Sequence, residues 1–366
     1  MGSPPVTERS DEPGDWGTPV AVSILRGCIL AIVLGSTIIV GLASSGRSYY
    51  IYVCAESEDE VAVVRYGPQG LEVVKTVEVG SFSSEIEGPH GITVDPNGRY
   101  WYVSLAHGFP FGSVHKYETG TDQWLGDVTL GMYPATMDVA ASTQLLFVVN
   151  FDLHGPLEPS SISVVETETM TEVARLGSGL RPHGGRLSLD ETSFYSVNVM
   201  GFDLIETDTL GFEVMRRLSL GEGVQPSWVT RPSRQGRVFV TGNNVGKVFE
   251  VDLGLWRVVR TFDTGPGPYN ASLTPDGLTL IVTYKTGAAV GFWDLESGQE
   301  RARVNTTRTI PHGVVVTPDG EYAFVTLEGI GDEPGTVEVY RISSAELLGV
   351  VDVGRQAGGL AFWKME

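Results

Sequence analysis

The chain has 366 residues, of which 42% are apolar and 19% charged, a composition that argues for a folded protein and against disorder. Forty-five acidic residues against 25 basic ones give a formal net charge of −20, which argues against nucleic acid as a partner because phosphate binding requires clustered lysine and arginine. The two cysteines, Cys28 and Cys54, provide no disulfide framework, and no motif for covalent c-type haem is present.

Residues 1–17 form a polar, proline-containing tail, and the segment that follows is strongly apolar. About twenty uncharged residues, GCILAIVLGSTIIVGLASSG, separate Arg26 from Arg47. As a helix this stretch would be ~30 Å long, which matches the hydrocarbon core of a bilayer. We therefore predict one transmembrane helix over residues 18–46, in contact with the lipid bilayer. Trp16 and a group of tyrosines after the helix lie where interfacial anchors belong.

A cleaved signal peptide is the alternative interpretation, with residues 41–43 (Gly-Leu-Ala) as the cleavage site. The long acidic leader favours a retained anchor, because signal peptides begin with a short basic region. Gly27, Ala31 and Gly35 form a smooth stripe on which another membrane helix can pack. We expect a single-pass inner-membrane protein, with the tail in the cytoplasm and the large domain on the periplasmic side.

The rest of the chain is a repeat. One apolar strand pattern recurs seven times, as YYIYVC, RYWYVS, QLLFVVN, SFYSVN, RVFVTG, LTLIVT and EYAFVT. Each copy carries valine at the same place: Val53, Val103, Val149, Val197, Val240, Val282 and Val325. The copies are roughly 42 to 50 residues apart, which is the length of a four-stranded propeller blade.

Further elements recur with the valine strand. Six copies follow a proline and a short apolar strand, namely PHGITV, PATMDV, PHGGRLSL, PSWVT, PYNASL and PHGVVV. Tight turns such as the TPDG segments at 274–277 and 317–320 join the two strands, and a third and fourth strand come after. The C-terminal AGGLAFW is a first strand without a second, and the N-terminal YYIYVC is a second strand without a first. We predict that they pair and close an all-β, seven-bladed β-propeller over residues 48–366.

These units resemble the YVTN family of β-propeller repeats. YWYVS, RVFVTG and EYAFVT, together with the TPDG turns, carry the resemblance, which extends over roughly residues 48–366. The resemblance implies the propeller fold. It implies no single activity, because the family includes surface-layer, binding and redox-associated proteins.

The order of the strands predicts how the propeller meets the membrane. The chain enters the propeller at a second strand, a few residues after the predicted helix, on the side of the turns between first and second strands. We therefore expect that side to lie against the bilayer. The loops before each first strand and after each valine strand should point away from it.

Five of the six histidines map to the side that points away. His90, His183 and His312 share one repeat position, directly after the proline of the first strand, whereas His107 and His154 follow valine strands. Because imidazole is the commonest metal ligand, these side chains could converge on a copper or zinc ion. In the alternative, Pro-His-Gly is a consensus of the repeat, and the histidine hydrogen-bonds a neighbouring loop. The other blades carry Ala135, Ser227, Tyr269 and Gly358 at this position.

Acidic residues cluster in two loops of the same side. They are Glu56, Glu58, Asp59 and Glu60 in one loop and Glu328, Asp332 and Glu333 in the other. Carboxylates can hold Ca²⁺ or attract a basic partner. Their spacing matches no twelve-residue calcium loop, so solvated loops are the simpler interpretation.

The sequence contains no GxSxG, HExxH or P-loop motif, and no GxGxxG before a helix. We therefore expect a non-enzymatic, membrane-anchored scaffold or accessory subunit of a larger inner-membrane complex, such as a respiratory or photosynthetic electron-transfer complex. Its partners would be other membrane-protein subunits, and the only cofactor considered is a metal ion at the histidines. The alternative is a metal-binding protein or a metal-dependent enzyme, a propeller lyase or lactonase, that uses this histidine-rich side.

Overall fold

A computed structural model describes Gly2, residues 46–82 and residues 84–366. Three predictions fall on residues outside this description: the polar tail (1–17), the transmembrane helix (18–46) and the stripe of Gly27, Ala31 and Gly35. Of residues 1–46 only Gly2 and Gly46 are described. Along the described segments the one helical element is a 3₁₀ turn at Asn243–Val245, and no helix there is long and apolar enough to cross a membrane.

Seven four-stranded antiparallel sheets, the blades, make up the described chain. The chain first forms the second, third and fourth strands of blade 7: β1 (Tyr49–Ala55), β2 (Glu60–Gly67) and β3 (Gly70–Glu78). Blade 1 consists of β4 (Pro89–Val94), β5 (Tyr100–Leu105), β6 (Ser113–Glu118) and β7 (Trp124–Thr129). Blade 2 consists of β8 (Pro134–Ala140), β9 (Leu145–Asn150), β10 (Pro159–Glu166) and β11 (Thr171–Leu180). Blade 3 consists of β12 (Pro182–Leu187), β13 (Ser193–Asn198), β14 (Asp203–Asp208) and β15 (Val214–Ser219).

The remaining blades follow in the same order. Blade 4 consists of β16 (Pro226–Val229), β17 (Arg237–Gly242), β18 (Lys247–Asp252) and β19 (Arg257–Asp263). Blade 5 consists of β20 (Pro268–Leu273), β21 (Thr279–Tyr284), β22 (Ala289–Asp294) and β23 (Gln299–Asn305). Blade 6 consists of β24 (Pro311–Val316), β25 (Tyr322–Leu327), β26 (Gly335–Arg341) and β27 (Glu346–Val353). The last strand, β28 (Ala357–Met365), is the first strand of blade 7.

The repeat in the sequence corresponds to the hydrophobic core. All seven valines of the repeated pattern lie on second strands, and each has 0% of its surface exposed. These strands are apolar on both faces because each blade packs against a neighbour on either side. Outer strands such as β23 instead alternate between exposed and half-buried residues, since one of their faces meets solvent. The predicted propeller and its strand order are therefore confirmed.

The approach to each first strand is also repeated. The residue directly before the first-strand segment has a positive φ in all seven blades: Gly88, Tyr133, Arg181, Gln225, Gly267, Ile310 and Gln356. A left-handed residue reverses the chain within one step. Because this approach is shared by all seven blades, equivalent first-strand positions occupy equivalent places around the central channel.

The two ends of the chain close the ring, as predicted. Strand β28 pairs antiparallel with β1, with Val53 opposite Leu360 and Tyr49 opposite Met365. Ser48 and Glu366 extend the ladder through reciprocal backbone hydrogen bonds of 2.6 and 2.9 Å. Closure supplies blade 7 with its innermost strand, so that all seven blades have four strands and the ring has no gap.

Aromatic side chains connect the closing blade to blade 1. The Tyr52 ring stacks on Trp101 of β5 at 4.9 Å and lies 5.3 Å from Trp363 of β28. The Tyr52 hydroxyl and the Trp101 indole N–H both donate to Asp122 Oδ1, each at 3.0 Å. The contact between the first and last blades is therefore both apolar and hydrogen-bonded.

Deletion of residues 357–366 should destabilise all seven blades together. It removes β28 with its ladder of hydrogen bonds to β1 and the partly buried Leu360, Phe362 and Trp363, and full burial of a side chain such as Leu or Phe contributes roughly 1.5–3 kcal/mol. We expect the free energy of unfolding to fall by several kcal/mol in urea titrations followed by circular dichroism. The control is Lys364→Ala with Met365→Ala, which keeps the backbone pairing and should change stability little. A deletion that unfolds like the wild type would contradict closure through β28.

Candidate functional site

The three histidines at the shared repeat position meet at one end of the central channel, which we call the histidine mouth. His90 lies on β4, His183 on β12 and His312 on β24, each directly after the strand's first residue. The His90 ring lies 5.9 Å from the His183 ring and 5.6 Å from the His312 ring, measured between centroids. All three side chains are buried. Equivalent positions in blades 1, 3 and 6 thus form one cluster.

Close packing of first strands explains the glycine that follows each histidine. A Cβ on Gly91 would lie 1.8 Å from the carbonyl oxygen of Ala135 in blade 2. A Cβ on Gly359 would lie 2.1 Å from the carbonyl oxygen of His90. Real Cβ atoms do not approach that closely, so glycine is required at these two positions. The glycine of the Pro-His-Gly motif therefore has a structural cause that is independent of any ligand.

Glu56, in the loop after β1, is the centre of the first hydrogen-bond network of the mouth. It accepts from His90 Nδ1 at 3.0 Å, from His107 Nε2 at 2.7 Å and from the Tyr133 hydroxyl at 2.7 Å. Burial alone would raise the pKa of Glu56, but the adjacent His90 and the hydrogen bonds from His107 and Tyr133 hold it well below its usual range. Glu56 is therefore a buried carboxylate with every partner supplied by the protein.

The histidines of the loops continue this network outward. His107 Nδ1 lies 3.2 Å from His154 Nε2, so the loops of blades 1 and 2 are joined by an imidazole pair. His154 is exposed, whereas Glu56 is only 3% exposed. The network therefore runs from the surface to the buried carboxylate through His107.

Glu328, in the loop after β25, is the centre of a second network. It accepts from His312 Nδ1 at 2.5 Å and from Lys285 Nζ at 2.7 Å. Burial opposes the charge, yet the hydrogen bond from His312 and the Lys285 ammonium lower the pKa of Glu328 to about 2. Lys285 also lies 4.3 Å above the centre of the Tyr269 ring, a cation–π distance. The second network therefore pairs one half-buried carboxylate with one ammonium group.

His183 is neutral and held by the backbone. Its Nδ1 lies 2.8 Å from the carbonyl oxygen of Ser227, to which it donates, and its Nε2 lies 3.3 Å from the Tyr269 hydroxyl. Burial, together with the nearby His90, lowers the pKa of His183 to about 3. Burial and Lys285 also lower the pKa of His312. These two imidazoles therefore act as neutral donors at physiological pH.

The contacts bear on both interpretations of the histidines. Within residues 46–82 and 84–366, no group of three or more His, Cys, Asp or Glu side chains has the arrangement of a metal site. The Nδ1 atoms of His90, His183 and His312 face Glu56, the Ser227 carbonyl and Glu328, and do not face a common point. These contacts favour the structural role. Metal binding by these residues with His107 and His154 remains a prediction.

Several side chains of the two acidic loops make contacts inside the protein, whereas the simpler interpretation of the sequence was solvated loops. Glu56 and Glu328 turn inward and hold the histidines. Asp59 accepts the backbone N–H groups of Glu87 and Gly88, and Glu58 pairs with Arg355 at 2.8 Å. Asp332 and Glu333 are exposed, as expected. Whether an acidic side chain points into the protein or into solvent depends on the local conformation of its loop. The periodicity of the strands carries no information on that conformation.

Sequence reasoning missed Tyr133 and Lys285. Tyr133 occupies the left-handed position before β8, where the other blades carry unrelated residue types, so the position gives no pattern to recognise. Lys285 follows β21 directly. The only signal for it in the sequence is that a basic residue lies in the loop of blade 5, the blade that carries Tyr269 at the shared repeat position.

The mouth encloses little space. A cavity of about 40 Å³ lies on the channel axis and is lined by the three histidines together with Gly91, Ala135 and Gly359. At the opposite end the channel widens into a cavity of about 590 Å³, bordered by the turns between first and second strands. The two ends of the channel therefore differ in size and in chemistry.

The fold defines the class of protein: a seven-bladed β-propeller closed by strands from both chain ends, with a hydrogen-bonded histidine cluster at one channel mouth. No family model matches the sequence, and no curated protein matches it. The resemblance to YVTN repeats therefore stays a prediction.

Solved structures share this fold. A chain of hydrazine synthase from Kuenenia stuttgartiensis matches with a TM-score of 0.63 and 19% identity, over 78% of this chain and 92% of that one. A putative 6-phosphogluconolactonase from Bacteroides fragilis matches with a TM-score of 0.70 and 12% identity, over 86% and 98%. A Lactobacillus plantarum protein from a structural genomics programme matches with a TM-score of 0.71 and 13% identity, over 87% and 99%. At these identities the likeness shows the fold alone.

The buried histidine should make stability depend on pH. The unfolded chain protonates His183 near its ordinary pKa of about 6.5, whereas the folded chain resists protonation until about pH 3. Stability is therefore present above pH 6.5 and is lost as pH falls below it, with a slope of up to about 1.4 kcal/mol per pH unit. Urea titrations between pH 7.5 and 5 measure the slope, to which His312 and His115 also contribute because burial lowers their pKa values, whereas Glu328 contributes only below its ordinary pKa of 4.5.

His183→Asn keeps an N–H donor for the Ser227 carbonyl and removes the titrating ring, so the slope should become shallower. His154→Asn, at an exposed position, serves as the control and should keep the wild-type slope. Equal slopes in His183→Asn and the wild type would contradict the buried neutral imidazole.

Proposed function

We propose that this protein is a non-enzymatic propeller that docks a protein partner through the loops around the histidine mouth. It would serve as a membrane-anchored accessory subunit of a larger inner-membrane complex. The observation that carries the proposal is a set of exposed apolar side chains on adjacent loops of this face, while the histidines beneath them are occupied by internal hydrogen bonds.

The exposed apolar residues belong to three loops: 79–88 before β4, 106–112 after β5 and 151–158 after β9. They are Phe82, Ile86, Phe109, Phe111, Leu153 and Leu157, which we call the apolar loop arc. Phe109 is 80% exposed and Phe82 62%. The loops are neighbours, since His107 N donates to the Glu87 carbonyl at 2.8 Å and the His107 ring contacts His154. Clustered exposed aromatic side chains are typical of protein interaction sites.

On the opposite face, which carries the turns between first and second strands and between third and fourth strands, the exposed leucines are not clustered. Leu189, Leu210, Leu255 and Leu278 each stand alone in a separate hairpin turn. Single exposed apolar residues are ordinary on a protein surface. The apolar loop arc differs because it gathers several such residues on three adjoining loops.

Charge indicates the kind of partner. Exposed Glu85 and Glu158 lie on the loops of the arc, and exposed Asp332 and Glu333 lie on the same face in blade 6. The basic groups Lys285 and Arg181 are engaged with Glu328 and Asp152. An apolar patch with an acidic rim suits a partner surface that is apolar at its centre and basic around it.

Membrane anchoring rests on the sequence. The uncharged stretch within residues 18–46 would hold the propeller at the inner membrane, with the propeller on the periplasmic side. The Gly27, Ala31 and Gly35 stripe would contact a helix of another subunit. A respiratory or photosynthetic electron-transfer complex is the kind of assembly proposed, and membership of the YVTN repeat family belongs to the same proposal.

The docking proposal predicts that Phe109→Asp with Leu157→Asp releases the partner. A charge placed at the centre of an apolar contact should weaken binding at least about tenfold, since buried anchors contribute most of the affinity of an interface. The measurement is the native mass of the full chain extracted from its own membranes in mild detergent, which should exceed the mass of one chain in the wild type.

Leu210→Asp is the matched control, because Leu210 is 71% exposed and lies on the opposite face. It should retain the partner. A wild-type chain that is extracted as a lone monomer would contradict the proposal, as would equal loss of the partner in both variants.

A metal-dependent or metal-binding role, lactonase- or lyase-like, is the second candidate function. The favouring observation is the buried Glu56 carboxylate held between two imidazoles beside a cavity. A protein of the same fold from Bacteroides fragilis is named a putative 6-phosphogluconolactonase.

Elemental analysis separates the two candidates. We expect equal copper and zinc content in the wild-type protein and in a variant with His90, His183 and His312 changed to alanine. His115→Asn, which alters the one histidine outside the mouth, is the control. One equivalent of metal that the triple variant loses and the control keeps would favour the second candidate instead.

A further inference from the structure

The wide end of the channel, opposite the histidine mouth, is basic although the protein is strongly acidic. We call this cavity of about 590 Å³ the vestibule. Its charged lining residues are Arg186, Arg231, Arg234 and Asp138. Three guanidinium groups against one carboxylate give it a positive potential, which is focused by the low-dielectric channel walls. The proposal that follows is independent of the docking face, because the vestibule lies at the other end of the channel.

Arg186 is the innermost of these residues. It lies on β12, the first strand of blade 3, and lines both the small cavity of the mouth and the vestibule. Its guanidinium lies 4.4 Å from the centre of the Trp228 ring, which fixes its plane, and Nη1 donates to the Gly185 carbonyl at 2.6 Å. Within the described chain no carboxylate lies within 4.0 Å of it. Within the described chain its one side-chain hydrogen bond is to the Gly185 carbonyl, so its other N–H groups are available to a ligand in the cavity that it lines.

The one vestibule carboxylate is already neutralised. Asp138 accepts two hydrogen bonds from Arg231, at 2.6 and 2.8 Å, and one from the backbone N–H of Leu187 at 3.1 Å. Asp138 therefore has little capacity left for Arg186. Arg234, at the rim, is exposed. The net charge that remains available to a ligand is positive.

We propose that the vestibule binds a small organic phosphate, with Arg186 as the central contact. A planar guanidinium with free, parallel N–H groups matches two oxygens of a phosphate. Several arginines around one cavity favour a doubly charged oxyanion over a single carboxylate. The volume is in the range of small-molecule sites and exceeds what a bare phosphate ion fills. Soluble sugar phosphates and lipid headgroups both present this chemistry.

Isothermal titration of the full chain in detergent, at low ionic strength, tests the proposal with three probes. They are inorganic phosphate, glucose 6-phosphate and dihexanoylphosphatidylglycerol below its micelle concentration, with glucose as the neutral control. We expect saturable binding of at least one phosphate probe and none of glucose. Tighter binding of glucose 6-phosphate identifies a soluble ligand, and tighter binding of the phospholipid identifies a headgroup.

Two variants with opposite expected effects on binding make the test independent of folding defects, because a folding defect can only weaken binding. Arg186→Gln should weaken binding at least tenfold, whereas Asp138→Asn should strengthen it, because it removes the competing carboxylate and frees Arg231. Arg257→Gln, an exposed arginine on β19, is the matched charge control and should bind as the wild type does. The proposal is overturned if no phosphate probe binds, if Arg257→Gln weakens binding as much as Arg186→Gln, or if Asp138→Asn weakens it.

Discussion

The antiparallel pairing of β28 with β1 is the constraint on which the rest of the structure depends. It turns seven similar sheets into a closed ring, so that the position of every blade is fixed by its two neighbours. Closure brings the first strands so close to the axis that Gly91 and Gly359 leave no room for a Cβ. The same crowding gathers the side chains of His90, His183 and His312 in one cluster. In an open arrangement the three sheets that carry these residues would have no reason to bring them together.

The two ends of the channel differ in how their polar side chains are paired. At the histidine mouth, Glu56 and Glu328 are surrounded by donors from different blades, and the polar groups satisfy one another. Such a network joins neighbouring blades and leaves few free groups for a ligand. In the vestibule, Arg186 faces open space and its nearest carboxylate partner is engaged elsewhere. The contacts at the mouth join neighbouring blades, whereas the vestibule is an open cavity lined by arginines; protein docking at the first end and anion binding at the second are the roles we propose.

Sequence periodicity was sufficient for the fold and for part of the site. The seven valines predicted the second strands, and the shared position of the Pro-His-Gly segments placed three histidines together, because a repeat maps equal positions to equal places. The inward turn of Glu56 and Glu328 was not predictable in this way, since irregular loops follow no period. Tyr133 was hidden for the same reason. Arg186 did leave a signal, because it is a charged residue at a first-strand position where blades 1, 5 and 6 carry the uncharged Thr93, Ser272 and Val315. Blade 2 carries the other charged residue at this position, Asp138, and both residues line the channel.

Hydrogen exchange of the native protein tests ring closure most directly. If β28 and β1 form an integral blade, the backbone amides of Val53 and Leu360 should exchange only through the opening that exposes inner strands such as β13 and β17, with the same free energy. Rapid exchange of the β1 and β28 amides, while β13 and β17 stay protected, would contradict the account, because the ends of the chain would then lie against the ring without closing it.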